Sequence, residues 1–191
     1  MNNNDTKFVN CVELSVEAAN EIARYLALVD SESIETLVKK ILKAPKIYVA
    51  GLGRSGLMLR AFAMRLMHLG LNVFVVGEIV TPAVEAGDLV IMGSGSGKTS
   101  SLVLMAKKVK EIGAELAILS VYPESDIGQY ADYKIKLHGK SGKVSSDMKS
   151  VQPGGNLFEQ SMLILLDAMI VGIAELGNID ISKFKRHANL E

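Results

Sequence analysis

An α/β fold built on a parallel sheet is what this sequence predicts, and three observations carry it. Short apolar runs at 47–50, 73–76, 89–92 and 116–121, and an alternating one at 133–137, are separated by segments of helical periodicity along most of the chain. Strands that alternate with helices pair in parallel through right-handed crossovers. Two of the runs end in glycine- and serine-rich turns that lead straight into a helical pattern.

The elements follow in order. Residues 11–29 and 31–42 carry apolar side chains at helical spacing, such as Ile22, Tyr25, Leu26 and Val29, and Asp30-Ser31 separates the two helices, with Ser31 the expected cap. The first strand is 47–50. A helix over 57–69 ends at Gly70, and the strands at 73–76 and 89–92 follow. Residues 99–112 read as a helix closed by Gly113, and the strand at 116–121 is stopped by Tyr122-Pro123. A short helix at 126–130 precedes the alternating strand at 133–137. The polar loop over 139–155 is long enough to point to a functional role. A long apolar helix spans 157–176, and the tail holds a short helix and then Arg186-His187-Ala188-Asn189-Leu190-Glu191. The expected organisation is one domain over 1–191: a helical segment at 1–46, an α/β core at 47–176 and a tail at 177–191.

Composition narrows the function classes. Lys and Arg together number 21, as do Asp and Glu, so no basic excess supports nucleic-acid binding. The single cysteine, Cys11, excludes an intramolecular disulfide framework and a multi-cysteine metal site. His68, His138 and His187 show no metal-ligand spacing. The apolar stretch 157–176 is interrupted by Glu159, Asp167 and Glu175, which predicts a buried helix rather than a membrane span. Met1-Asn2-Asn3-Asn4-Asp5 has no signal-peptide character. The expectation is a soluble cytoplasmic protein.

The two turns are the motifs that carry chemistry. A glycine turn ending at a helix N-terminus presents free backbone N–H groups and the positive end of the helix dipole to an anion. Gly51-Leu52-Gly53-Arg54-Ser55-Gly56 fits the G-x-G-x-x-G pattern of dinucleotide sites, with Glu78 near the place of a ribose-binding acid. Alone the match is weak, because any tight strand–turn–helix favours glycines, and little chain remains for a separate substrate domain. Gly93-Ser94-Gly95-Ser96-Gly97-Lys98-Thr99 resembles a phosphate-binding P-loop, but only three residues separate Gly93 from Gly97-Lys98-Thr99, where four are required. Hydroxyls at Ser55, Ser94, Ser96 and Thr99 remain as donors to phosphate oxygens. Gln152-Pro153-Gly154-Gly155-Asn156-Leu157-Phe158-Glu159 opens the long helix with two readings. In one, Asn156 is the N-cap and Glu159 closes a capping box. In the other, Glu159 points into a site as a general base.

On these residues the chain resembles the sugar isomerase (SIS) domain family, most closely its 6-phospho-3-hexuloisomerase branch. The matching stretches are Gly51–Gly56, Ala61-Phe62-Ala63-Met64-Arg65-Leu66-Met67-His68-Leu69-Gly70, Val75-Val76-Gly77-Glu78 with Thr81-Pro82, Gly93–Thr99, Leu157-Phe158-Glu159-Gln160-Ser161 and Arg186–Glu191. The resemblance implies a flavodoxin-like single domain, a five-stranded parallel sheet sandwiched by helices with further N-terminal helices. It implies homodimers or homotetramers. It implies phosphate binding through Ser55, Ser94, Ser96 and Thr99, with backbone help from Gly95 and Gly97. It implies Glu159 as the base in interconverting D-arabino-hex-3-ulose 6-phosphate and D-fructose 6-phosphate, with no metal or cofactor. Arg54 and His187 are candidates to stabilise the developing enediol charge, His187 being supplied by a neighbouring subunit. Lys98 departs from the family, which usually carries Glu there: its ammonium is expected either beside the phosphate or in solvent, and a shifted substrate preference is the further alternative. The alternatives are an isomerase of another sugar phosphate, or a non-catalytic sugar-phosphate sensor on the same fold.

Overall fold

The sheet alternates its side chains between two cores. In the computed structural model, which describes residues 9–141 and 149–180, Ile47 and Val49 of the first strand face one hydrophobic cluster, and Tyr48 and Ala50 face the other. This period of two, with apolar residues on both faces, marks a parallel strand covered on both sides.

Two helices come first, α1 (Cys11–Leu26) and α2 (Ser31–Lys43). The sheet and its helices then run β1 (Ile47–Gly51), α3 (Gly53–His68), β2 (Val73–Val75), β3 (Leu89–Gly93), α4 (Ser100–Ile112), β4 (Glu115–Ser120), a 3-10 turn at Gly128–Tyr130, β5 (Tyr133–Lys136) and α5 (Asn156–Leu176). All neighbouring strands pair in parallel, in the order β2-β1-β3-β4-β5. The chain therefore reverses its winding between β1 and β3, and ligands in such sheets bind outside the carboxyl ends of the strands at that switch point. Both glycine turns leave the sheet there, one from β1 and one from β3.

Helices α2, α3 and α5 cover one face, burying Leu37, Ile41, Phe62, Leu66, Phe158, Met162 and Leu166. Helix α4 covers the other with Leu102, Ala106 and Val109. The connection from β2 to β3 carries no helix. It lies on the second core through Val76 and Val84, and the buried Tyr48 hydroxyl donates to the Ala83 carbonyl at 2.8 Å. Helix α5 is long and apolar enough to cross a membrane by composition, but half of its apolar window is buried inside the fold.

Three local expectations need correction. Helix α2 is capped by Asp30, not Ser31: the Asp30 carboxylate accepts from Ser33 N at 3.0 Å and from Glu32 N at 3.4 Å. Asp30→Ala should cost about 1 kcal/mol of stability, read from the midpoint of a urea titration. Helix α3 begins at Gly53, four residues before the expected Leu57. Low glycine propensity obscured this first turn. Gly56 belongs there because α3 packs so closely on β1 that a Cβ at Gly56 would stand 2.4 Å from the Gly51 carbonyl oxygen. The N-cap of α5 is Gly155, with no side-chain cap, and the Glu159 N–H bonds to the Gly155 carbonyl in the ordinary helical way. Asn156 is thus the first helical residue, and the capping box does not form.

Candidate active site

Three helix N-termini converge on one cavity. It has a volume of about 300 Å³ and opens at the carboxyl edge of the sheet. Leu52, Thr99 and Gly155, the N-cap residues of α3, α4 and α5, all lie on its wall, and none of the three helices has a side-chain cap hydrogen bond. Helices α1 and α2 are the contrast, capped by Asn10 and Asp30. The first N–H groups of a helix have no partner within it. Three such ends aimed at one space create a strongly anion-attracting pocket. The sequence pointed to two of them, and the third arrives with α5.

The second turn supplies the hydroxyls. Ser94 and Ser96 are buried and line the cavity, as does Gly95. Ser94 Oγ accepts from Gly97 N at 3.2 Å, and Ser96 Oγ accepts from Lys98 N at 3.2 Å. Each oxygen thereby shapes its own turn as an acceptor, which leaves the hydroxyl proton for an acceptor oxygen. Thr99 Oγ1 lies 3.5 Å from Ser94 Oγ. The end of β4 holds the turn from behind: Val121 N donates to Gly95 O at 3.2 Å, and Ser120 Oγ donates to the same oxygen at 3.3 Å. Ser96→Ala should weaken inorganic-phosphate binding about tenfold by calorimetry, the worth of about one hydrogen bond to a charged group, while leaving the fold intact.

Gly97 does not line the cavity. It adopts φ +63°, and a Cβ there would stand 1.7 Å from Ser125 Oγ. Its place in the motif is conformational, since only glycine adopts this geometry without strain. Lys98 is exposed and lies off the cavity wall. Of the two places expected for its ammonium, the structure gives it the solvent.

Ser55, half-buried in the first turn of α3, lines the cavity. Glu159 lines it from the first turn of α5, with its side chain 14% exposed. Glu159 Oε2 accepts from Arg54 Nε at 2.5 Å, while the Arg54 side chain is about half exposed. The carboxylate therefore turns to Arg54 on α3, which does not itself line the cavity, and not back to the N-cap as the capping-box reading has it. An ion pair to an exposed arginine contributes little stability and can be exchanged for a ligand.

Sequence reasoning missed much of the remaining wall. Phe158 forms an apolar side, its ring 3.3 Å from where a Gly95 Cβ would stand. Leu102 adds a second apolar contact. Lys140 and Ser141 enter from the segment after β5, inside the long polar loop whose length was the sole signal. The two described histidines lie elsewhere. His68 is buried at the end of α3, with Arg65 Nη1 3.5 Å from its Nδ1. His138 stacks on Tyr25 at 5.7 Å between ring centroids, and burial, followed by repulsion from Lys136, lowers its pKa. His187 and the tail motif around it lie outside the described residues. Among the described residues no group of three or more His, Cys, Asp or Glu side chains is gathered as metal ligands.

Comparison with known proteins gives this geometry a family. Residues 40–152 match the model of the SIS domain. The chain is 45% identical over 181 residues to a Bacillus subtilis protein named 3-hexulose-6-phosphate isomerase, covering 94% of this chain and 98% of that one. It is 38% identical over 173 residues to a Mycobacterium gastri protein of the same name, covering 90% and 87%. A crystal structure from Methanococcus jannaschii, whose authors inferred a 3-hexulose-6-phosphate isomerase function, superposes with a TM-score of 0.78 at 37% identity, over 94% of this chain and 99% of that one.

Proposed function

The chain belongs to the SIS domain family, and on that premise we propose that it is a sugar-phosphate isomerase interconverting D-arabino-hex-3-ulose 6-phosphate and D-fructose 6-phosphate. The observation that carries this reading is one cavity holding three uncapped helix N-termini, two buried serine hydroxyls and one carboxylate, Glu159.

The phosphate binds at the α3 and α4 N-termini through Ser55, Ser94, Ser96 and Thr99, with the backbone of Gly95. Fixing the remote end of the sugar uses its binding energy to orient the reacting carbons. From the 3-ulose, Glu159 removes the proton on C2, and the electron pair forms the C2–C3 double bond of an enediol. The former C3 carbonyl oxygen takes up the displaced electron pair and then the O2 proton, and the carboxyl group delivers its proton to C3 as the carbonyl re-forms at C2. Arg54, now paired with Glu159, turns to the sugar as the ligand enters. This chemistry needs a base and hydrogen-bond donors, and calls for no metal or cofactor. In the reverse direction the cyclic form of fructose 6-phosphate must first open, and His187 from a neighbouring subunit is the proposed acid.

Assembly into a homodimer or homotetramer is part of the proposal. Ile164 and Val171, seven residues apart on one face of α5, are about half exposed, apolar side chains that a second copy would cover.

The test supplies the purified protein with fructose 6-phosphate and follows the sugar by carbon NMR. A second ketose phosphate with its carbonyl at C3, growing to a constant ratio, is the expected result. Binding of fructose 6-phosphate with no new ketose overturns the isomerase reading in favour of a sensor.

A further inference from the structure

Among the described residues, two with ionisable side chains line the cavity, Glu159 and Lys140. Glu159 is engaged by Arg54. Lys140 is half-buried, yet no carboxylate pairs with it among the described residues, whereas the other half-buried lysines there, Lys40, Lys46 and Lys134, all have acidic partners. Withdrawing an ammonium from water without a counter-charge is unfavourable, and negative charge that develops beside it removes that cost.

The position of Lys140 is fixed by its neighbours. A Cβ at Gly139 would stand 2.8 Å from Phe158 Cβ and 3.0 Å from Phe158 N, so the chain presses directly on the first turn of α5. A Cβ at Gly155 would meet the Lys140 carbonyl oxygen at 3.8 Å and Glu159 Oε1 at 3.6 Å. Lys140 thus belongs to the wall that carries Glu159, where carbon is deprotonated. The phosphate-gripping serines belong to the turn after β3.

We propose that Lys140 is a catalytic residue whose ammonium stabilises the enediolate oxygen during isomerisation, an inference that rests on the isomerase reading above. As Glu159 takes the proton from C2 of the 3-ulose, the electron pair enters the C2–C3 bond and the C3 carbonyl oxygen becomes an alkoxide. The Lys140 ammonium donates a hydrogen bond to that oxygen. A proton then passes from O2 to O3, Glu159 returns its proton to C3, and Lys140 ends in the state in which it began. A positive charge aimed at oxygen that becomes anionic only along the reaction raises kcat and leaves ground-state binding almost unchanged.

The experiment compares wild-type, Lys140→Met and Lys140→Arg proteins. It measures kcat and KM for isomerisation, deuterium exchange at C3 of fructose 6-phosphate, and the Kd of fructose 6-phosphate. Methionine retains the apolar stem and removes the charge, so loss in that variant reports charge rather than packing. Lys140→Met should lose about 10²-fold in both kcat and exchange rate, with KM and Kd within about threefold of wild type. Lys140→Arg, which keeps a cation, should stay within about tenfold of wild type on kcat. A raised KM and Kd with kcat retained overturns the proposal, since it makes Lys140 a phosphate ligand. Unchanged kinetics in both variants overturn it as well, with the isomerase reading intact. A wild-type protein that isomerises neither sugar overturns both.

Discussion

Glu159→Gln should reduce isomerisation about 10³-fold or more while fructose 6-phosphate still binds. The amide is isosteric with the carboxylate but cannot accept the carbon-bound proton, so the loss falls on kcat. The proposed phosphate contacts lie on other elements, the α3 and α4 N-termini and the turn after β3, and KM should hold within a few-fold. Stability should barely change. The substitution removes the charge partner of Arg54, but that guanidinium sits about half in water and is not left buried. Steady-state kinetics with calorimetric binding read both quantities. A fall in kcat/KM that appears wholly in KM would make Glu159 a binding residue.

Gly56→Ala is expected to have the largest effect on the fold, a destabilisation of about 3 kcal/mol in a denaturant titration. The added Cβ would lie 2.4 Å from Gly51 O and 2.8 Å from Gly51 C. Strand β1 cannot retreat, because it is hydrogen-bonded to β2 on one side and β3 on the other. Helix α3 must move instead, taking Ser55 and its N-terminus away from the cavity. The folded fraction of the variant should therefore also bind phosphate less well. Gly53→Ala is the informative partner. No atom stands within 4 Å of its added Cβ, but its φ of +56° disfavours any side chain, at a cost of about 1–2 kcal/mol. The two glycines of one motif are thus required for different reasons, close packing at Gly56 and backbone geometry at Gly53. Neither reason involves a dinucleotide.

The legible parts of this chain were those set by local pattern. Apolar runs placed β1 to β4, and alternation placed the edge strand β5, each to within one residue, because strands covered on both faces need nearly continuous apolar sequence. The turns after β1 and β3 were visible because glycine and serine interrupt those runs abruptly. What depended on distant contacts was not visible. The start of α3 was obscured by glycines that only the approach to β1 explains. Asn156 and Glu159 carry the spacing of a capping box, and sequence cannot tell which way a carboxylate turns. Its direction is set by Arg54, 105 residues away along the chain. Lys98 lies inside the second glycine turn yet faces solvent, and Lys140 lies outside every motif yet lines the cavity. Adjacency to a turn fixes the backbone, whereas the packing of the 139–140 segment on α5 decides which lysine reaches the site.

The most direct test of the account is deuterium incorporation from heavy water into fructose 6-phosphate, with the position of the label read by NMR. Proton transfer by Glu159 through a 2,3-enediol predicts deuterium at C3, retained in Ser96→Ala at saturating sugar and lost in Glu159→Gln. No label at any carbon despite binding, or label at C1 alone as in an aldose–ketose isomerase, would contradict it.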